Sequence, residues 1–183
     1  MSKAVTALGG VRASGYVAVR EAPLQGMVTL RADLKAPEVA SALTAVMGAK
    51  MPKVRMMTQG SAGTLAWMSP DELLLLVAYD EAEAIAASLT EALKGLHALV
   101  SVVSDARAMF ELEGDKADEI IAKLAPVDTA RLANDEMRRT RLAQVPAALW
   151  RTDKGINLIC FRSVAQYAFD LLRTSAMPGS EVF

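Results

Sequence analysis

The sequence predicts an α+β fold built from two similar βαββα halves. Two runs that end in tryptophan, at residues 64–67 and 145–150, each lead through a polar turn into an apolar strand. The strand-like segments 27–30 and 109–112 repeat at the same offset as Trp67 and Trp150, to within one residue. This period is longer than the roughly 20–50 residues of stacked-repeat solenoids. We therefore expect two halves, related by a pseudo-twofold axis, that form one compact domain.

The N-terminal residues, 1–26, are predicted to be an irregular arm that becomes ordered on a partner. Gly9, Gly10, Gly15 and Pro23 interrupt any helical or strand period there. The first half then spans residues 27–97.

The first half begins with a strand in which Val28 and Leu30 alternate with polar residues. A helix follows, with Pro37 suited to its first turn and Gly48 to its end.

Further strands are expected at residues 54–58, 64–67 and 73–77, and the last of these is apolar throughout, so both of its faces should be covered. Asp80 and Glu83 are placed to cap the next helix, which should stop at Gly95.

The second half, residues 98–176, repeats this plan. Strand-forming residues at 99–110 are interrupted at 104–105, and Gly114-Asp115 opens a short helix that Pro126 ends. Ser163 and Gln166 have the spacing of a capping box for the last helix. Residues 177–183 are predicted to be a tail.

Bulk properties narrow the class of protein. At 183 residues the chain can bury its own core, and a formal net charge of −1 gives no electrostatic reason to expect nucleic acid or a membrane surface as a partner. The single cysteine, Cys160, excludes an intrachain disulfide and fits a reducing compartment. Neither a membrane span nor a secretory signal is recognisable, so we expect a cytoplasmic protein.

The apolar content is high, at 52%, although only 5% of residues are aromatic and ten are methionine. Two interpretations stay open at this point. An alanine-rich composition from a GC-rich genome explains the surplus, and so does a permanent protein–protein interface, which is more apolar than ordinary surface.

The motifs of common catalytic sites are missing. Residues 60–63 (GSAG) lack the lysine of a phosphate-binding loop, and no G-x-G-x-x-G follows a strand. His97 is expected to be a partly exposed helix-end residue rather than a general base, and Cys160 a buried small hydrophobe. The acids Asp115, Asp118 and Glu119 are explained by their place at a helix start. We accordingly assign no catalytic, cofactor-binding or metal-binding residue.

Two further features have more than one interpretation. Arg138, Arg139 and Arg141 form the basic cluster, which is either a solvated loop or a site for an anion or a partner. Trp67 and Trp150 are expected to be core anchors of the two halves rather than parts of a substrate cage.

Several stretches of the chain resemble one known family. They are residues 67–75 (WMSPDELLL), 104–117 (SDARAMFELEGDKA), 124–128 (LAPVD), 139–142 (RTRL) and 161–167 (FRSVAQY). Together these stretches resemble the gamma subunit of heterotetrameric sarcosine oxidase, which itself resembles the folate-binding domain of glycine-cleavage aminomethyltransferases. Where that family often has a cysteine, Lys123-Leu124-Ala125 stand here.

The resemblance implies a non-catalytic structural subunit of an alpha-beta-gamma-delta complex, in contact chiefly with the large alpha subunit. It implies that the complex oxidatively demethylates sarcosine to glycine, releasing hydrogen peroxide and, with tetrahydrofolate, 5,10-methylenetetrahydrofolate. FAD, FMN, NAD, tetrahydrofolate and zinc would belong to the partner subunits. The isolated chain is expected to self-associate through its partner-facing surface.

Two alternatives belong to other classes. One is a free-standing folate-binding module or small aminomethyltransferase-like protein, for which no acidic catalytic residue is recognisable at a folate site. The other is a structural protein of an unrelated assembly, which the residues alone do not distinguish from the first interpretation.

Overall fold

The computed structural model describes residues 3–182 of the chain. Contacts among the Cα atoms divide the chain into two compact units. The central unit is Gln25–Ser104, and the terminal unit joins the described parts of Met1–Leu24 and Asp105–Phe183. Each unit combines one antiparallel sheet with two α-helices, which confirms the α+β class.

The helices and strands of the described residues follow in chain order. They are β1 (Arg12–Ala13), β2 (Ala18–Glu21), β3 (Gly26–Arg31), α1 (Pro37–Met47), β4 (Met57–Gln59), β5 (Thr64–Ser69), β6 (Glu72–Val77), α2 (Ala82–Ala92), β7 (Leu99–Val102), β8 (Arg107–Glu113), α3 (Ala117–Leu124), β9 (Arg138–Leu142), β10 (Val145–Thr152), β11 (Gly155–Phe161) and α4 (Ala165–Ser175). Short 3-10 helices lie at Tyr79–Glu81, Ser104–Ala106, Thr129–Arg131 and Arg162–Val164. No helix among residues 3–182 has the length and apolar character needed to cross a bilayer.

The central unit has the strand order β4-β5-β6-β3-β7. Its apolar core includes Leu43 of α1, Leu73 of β6 and Leu89 of α2, all fully buried. Leu74 is buried as well, and since neighbouring residues of a strand face opposite ways, both faces of β6 are covered, as its unbroken apolar run predicts.

The terminal unit has the strand order β1-β2-β8-β11-β10-β9. Buried and half-buried residues alternate along β8, so that Ala108, Phe110 and Leu112 point into the core of this unit. The ring of Phe110 lies 6.1 Å from that of Phe169 on α4, which fixes this helix against the sheet.

The two units contain the same succession of elements. In each, a strand and a helix are followed by three strands and a second helix. This adds one strand to the βαββα plan; in the central unit it is the strand expected at residues 54–58, which the structure places at Met57–Gln59. The sheet order β4-β5-β6-β3 of the central unit corresponds to β9-β10-β11-β8 of the terminal unit. Both β4 and β9 are edge strands, and the arginine-rich β9 has no apolar periodicity by which the sequence could predict it. The pseudo-twofold relation stays a prediction.

The irregular arm predicted at residues 1–26 is wrong for β1 and β2. β2 pairs with β8, with Val19 opposite Leu112, and both of these residues are buried. The glycines and Pro23 flank the two strands instead of interrupting them. The predicted arm therefore contributes β1 and β2 to the sheet of the terminal unit, whereas residues 25 and 26 belong to the central unit and residues 1 and 2 lie outside the described residues.

The predicted boundary between the halves, at residues 97 and 98, is also displaced. β7 pairs with β3, with Val100 opposite Leu30, so it belongs to the central unit, which extends to Ser104. The strand-forming run at 99–110 is thus divided between two sheets at its 3-10 turn. Whether the two halves make one compact domain stays a prediction.

The helix ends confirm some sequence signals and contradict others. Pro37 begins α1, and Gly48 ends it in the left-handed conformation, at φ 65°, with its N–H bonded to the Thr44 carbonyl. The capping residues expected at Asp80 and Ser163 are wrong: 3-10 turns run directly into α2 and α4, and neither helix has a side-chain cap. Hydrogen bonds within these turns use backbone groups at the helix starts, where side-chain caps were expected.

The two tryptophans differ in burial. Trp150 on β10 is 6% exposed, so it is buried, but it lies outside the apolar core cluster of the terminal unit, on the sheet face opposite Leu149. Trp67 on β5 is half-buried and packs at the border of the central core.

Replacing Trp150 with alanine should therefore cost about 3–5 kcal/mol of folding free energy, because a large buried side chain leaves a cavity. Trp67→Ala is the matched control and should cost distinctly less. Urea denaturation followed by circular dichroism measures both, and equal midpoints for the two variants would contradict this assignment.

Ala143, in the two-residue loop between β9 and β10, has φ 48°, a conformation that L-residues avoid. Ala143→Gly should stabilise the protein by roughly 1 kcal/mol because glycine adopts this backbone without strain. The same change at Ala84, exposed in α2, should destabilise by roughly 0.5–1 kcal/mol. Thermal melting of both variants checks the opposite signs, and a destabilising Ala143→Gly would show that the loop is not strained.

Candidate functional site

Cys160 lies on β11 and is 2% exposed. Burial raises the pKa of its thiol to about 11, although the nearby Arg107 opposes this shift. A thiol is therefore present at neutral pH, and the side chain packs in the core of the terminal unit. The prediction of a buried small hydrophobe is confirmed.

His97 follows α2 and is exposed, as expected for a residue at the end of a helix. It belongs to the central unit, whereas Cys160 belongs to the terminal unit.

The acidic cluster lies at the start of α3, with Asp118 and Glu119 in the first turn as predicted. Asp115 and Asp118 line a polar cleft of about 200 Å³, together with Arg151 near the end of β10 and Lys154 in the β10–β11 turn. The Arg151 guanidinium donates to Asp118 Oδ2 at 2.9 Å and to the Leu132 carbonyl at 3.1 Å. The arginine thus joins α3 to the following loop. Within residues 3–182, no group of three or more His, Cys, Asp or Glu side chains could hold a metal ion.

The basic cluster forms β9, an edge strand. Arg138 donates from Nε to the Glu136 carboxylate at 2.8 Å, and this glutamate is 5% exposed. Arg139 and Arg141 are exposed. The cluster is a strand rather than a solvated loop, and one of its arginines has a structural role.

Glu21, at the end of β2, organises the segment that precedes β1. Its carboxylate is 5% exposed and accepts hydrogen bonds from the Thr6 hydroxyl at 2.8 Å and the backbone N–H groups of Leu8 and Gly10 at 2.9 and 2.7 Å. Arg162 holds the same segment by donating to the Thr6 carbonyl at 3.1 Å. These bonds attach the N-terminal residues to the terminal unit.

A second polar cluster joins three distant segments of the terminal unit. Glu119 and Lys123, one turn apart on α3, approach to 3.3 Å, and the Lys123 ammonium donates to the Tyr16 hydroxyl at 2.6 Å. The Tyr16 N–H also donates to the Ala176 carbonyl at 3.1 Å, just past α4. A Cβ on Gly15 would lie 1.9 Å from that same oxygen, so this close approach requires glycine.

The same two charged residues bind the C-terminal tail. The Val182 N–H donates to Glu119 Oε1 at 2.6 Å. Lys123 donates to the carbonyls of Ser175, at 3.1 Å, and Ser180. The described part of the predicted tail is therefore attached to α3.

These contacts shift two pKa values in the directions that keep both groups charged. The hydrogen bond from the Val182 N–H lowers the pKa of Glu119, burial opposes this shift, and Lys123 and Tyr16 reinforce it. Burial disfavours the charged form of Lys123, but the hydrogen bonds to Tyr16 and Glu119 outweigh that effect and raise its pKa.

No pattern in the sequence predicts these two clusters. Tyr16 and Glu119 lie 103 positions apart, and Glu21 bonds to residues 11–15 positions before it. No short-range spacing marks such pairs. Lys123-Leu124-Ala125, the segment in which the resembling family often has a cysteine, is a local difference that does not identify the partners of Lys123.

The terminal unit also exposes apolar side chains near the ends of the chain. The Arg107 guanidinium lies 4.1 Å from the centre of the Phe161 ring, which is itself partly exposed. The large exposed hydrophobic residues of this unit are Val5, Leu24, Phe161, Tyr167, Met177 and Val182. The polar clusters fix the segments that carry three of them, at positions 5, 177 and 182. These exposed apolar side chains therefore lie at defined positions on the surface of the terminal unit.

Known proteins resemble this chain in sequence and in fold. A family model described as "Sarcosine oxidase, gamma subunit family" matches residues 31–176. No curated protein sequence matches the chain significantly.

Solved structures show the same fold. A chain of the heterotetrameric sarcosine oxidase from Corynebacterium sp. U-96 is similar with a TM-score of 0.81 and 24% identity, over 94% of this chain and 90% of that one. The glycine cleavage system aminomethyltransferase T from Bartonella henselae is similar with a TM-score of 0.64 and 14% identity, over 83% of this chain and 44% of that one. The predicted likeness to the aminomethyltransferase fold is confirmed.

The lowered pKa of Glu119 makes stability depend on pH. Because the folded pKa lies below the unfolded value, the charged carboxylate stabilises the fold above about pH 4.3, and this contribution disappears as the pH falls through the folded pKa. Glu119→Gln should therefore be less stable than wild type at pH 7 and equally stable at strongly acidic pH.

Urea midpoints measured from pH 7 to pH 2 check this dependence. Glu83→Gln, on the exposed side of α2, is the control and should leave the profile unchanged. Parallel curves for Glu119→Gln and wild type would contradict the role assigned to Glu119.

Proposed function

The chain belongs to the sarcosine oxidase, gamma subunit family, and from this premise we propose that it is a non-catalytic subunit that holds together a heterotetrameric sarcosine oxidase. The family match over residues 31–176 carries the proposal, since it covers both units. The subunit contributes surface and rigidity rather than reacting groups.

The proposed complex contains alpha, beta and delta subunits besides this chain, and the large alpha subunit is its main contact. The complex oxidatively demethylates sarcosine to glycine, forming hydrogen peroxide and, with tetrahydrofolate, 5,10-methylenetetrahydrofolate. We place FAD, FMN, NAD, tetrahydrofolate and zinc on the partner subunits. The protonated, buried state of Cys160 supports a chain that supplies no thiolate nucleophile.

The structure supports an assembly role through the attachment of the chain ends. Glu21 and Arg162 fix the N-terminal segment, while Glu119 and Lys123 fix the tail. Because these segments are ordered before any partner arrives, docking through them loses little conformational entropy. Exposed apolar residues at fixed positions are typical of permanent interfaces.

A cytoplasmic location is part of the proposal. Cys160, the single cysteine, cannot form an intrachain disulfide and is buried, as suits a reducing compartment.

A free-standing folate-binding module is the second candidate. The fold likeness to aminomethyltransferase T favours it, although the match spans less than half of that chain. Tetrahydrofolate binding by the isolated chain separates this candidate from the first.

Co-expression of tagged chain with the neighbouring genes of its host should yield a complex of four subunits with flavin absorption and sarcosine-dependent peroxide. The isolated chain should be colourless and inactive, and omission of this chain should prevent assembly or lower the melting temperature of the remainder. An equally stable and active complex without the chain would contradict the proposal. Micromolar tetrahydrofolate binding by the isolated chain, measured by calorimetry, would favour the second candidate.

A further inference from the structure

We propose that the open edge of β9 receives an extended acidic segment of a partner subunit, which adds to the sheet of the terminal unit as a further strand. The inference rests on the proposed function, because it names the kind of partner surface that this chain binds. Strand addition of this type obtains affinity from backbone hydrogen bonds and specificity from alternate side chains.

The position of β9 provides the backbone for such pairing. It is the last strand of the six-stranded sheet and pairs with β10 alone. Leu142 and Val145 close a hairpin with a two-residue loop, so they form a hydrogen-bonded pair. By alternation, the N–H and C=O groups of Arg141 are directed away from β10, towards the open edge.

The side chains of β9 divide by face. Leu142 is buried in the core, Thr140 is half-buried, and Arg138 is bound to Glu136. Arg139 and Arg141 share the other face and are exposed, separated by about 7 Å along the strand.

These two arginines determine the chemistry of the partner. Residues at alternate positions of an added strand would lie opposite them, within the roughly 4.5–5.5 Å of cross-strand neighbours. Carboxylates at those positions would form charge-assisted pairs, frequently bidentate with arginine. The expected partner segment therefore has Asp or Glu at every second residue.

Other occupants of the edge fit less well. A second copy of β9 would bring arginines opposite arginines, which is destabilising. Nucleic acid is disfavoured by the net charge of −1. Charged side chains also protect edge strands against association, so the test must distinguish protection from recognition.

The double variant Arg139→Glu and Arg141→Glu tests the inference in the assembled complex. Its matched control is Arg131→Glu with Arg173→Glu, which changes the net charge equally at two exposed sites of the same unit, 86% and 52% exposed. The β9 variant should bind the remaining subunits at least 100-fold more weakly, and the control should change affinity less than threefold. Thermal melting of each isolated variant should stay close to that of wild type, because ion pairs at exposed sites contribute little to stability.

Hydrogen exchange is a second measurement. It would not change on assembly if the arginines of β9 only protected the edge against association. Amides of residues 138–142 should exchange more slowly in the wild-type complex than in the isolated chain. Equal affinity of the β9 variant and the control would overturn the inference while the proposed function stands. Unchanged exchange in the complex would overturn strand addition in the same way. Failure of the wild-type chain to assemble at all would overturn both.

Discussion

The architecture of the terminal unit depends on one pairing, that of β2 with β8. β8 is a central strand, so its backbone N–H and C=O groups need hydrogen-bond partners on both sides. β11 pairs with it on one side, and β2 pairs with it on the other. Once the N-terminal segment supplies the second partner, Glu21 lies where it can bind residues 6–10. The same pairing brings Tyr16 within reach of Lys123, a residue that also binds the Ser180 carbonyl of the tail. The N-terminal segment thus derives its order from this strand pair, whereas α3 binds the tail directly.

The sequence predicted the features that are encoded locally. Pro37 and Gly48 mark α1 because one residue determines the backbone at each end, and the alternation along β8 indicates which residues face the core. Trp67 and Trp150 identified matching strands, although their different burial depends on packing that no period expresses. These signals sufficed for the α+β class and for most element positions.

The rest could not be predicted because it depends on partners distant in sequence. Glycines surround β1 and β2, so the segment resembles an arm until β8 is known to lack a neighbour. Glu119 could be explained as a first-turn acid stabilising α3, yet it also binds the tail. Its place in the sequence therefore predicted the role of Glu119 at the start of α3 but not its bond to the tail.

The discontinuity of the terminal unit affects how the chain can fold during synthesis. β1 and β2 leave the ribosome first, but their partner β8 follows only after all of Gln25–Ser104. The central unit is synthesised completely before β8 and has its own core. It can therefore fold while β1 and β2 still lack their partner strand. A folded insert brings its ends, Gln25 and Ser104, near each other, as the adjoining β3 and β7 are paired neighbours. This shortens the effective loop that must close between β2 and β8, and so reduces the entropic cost of the pairing that orders the N-terminal segment.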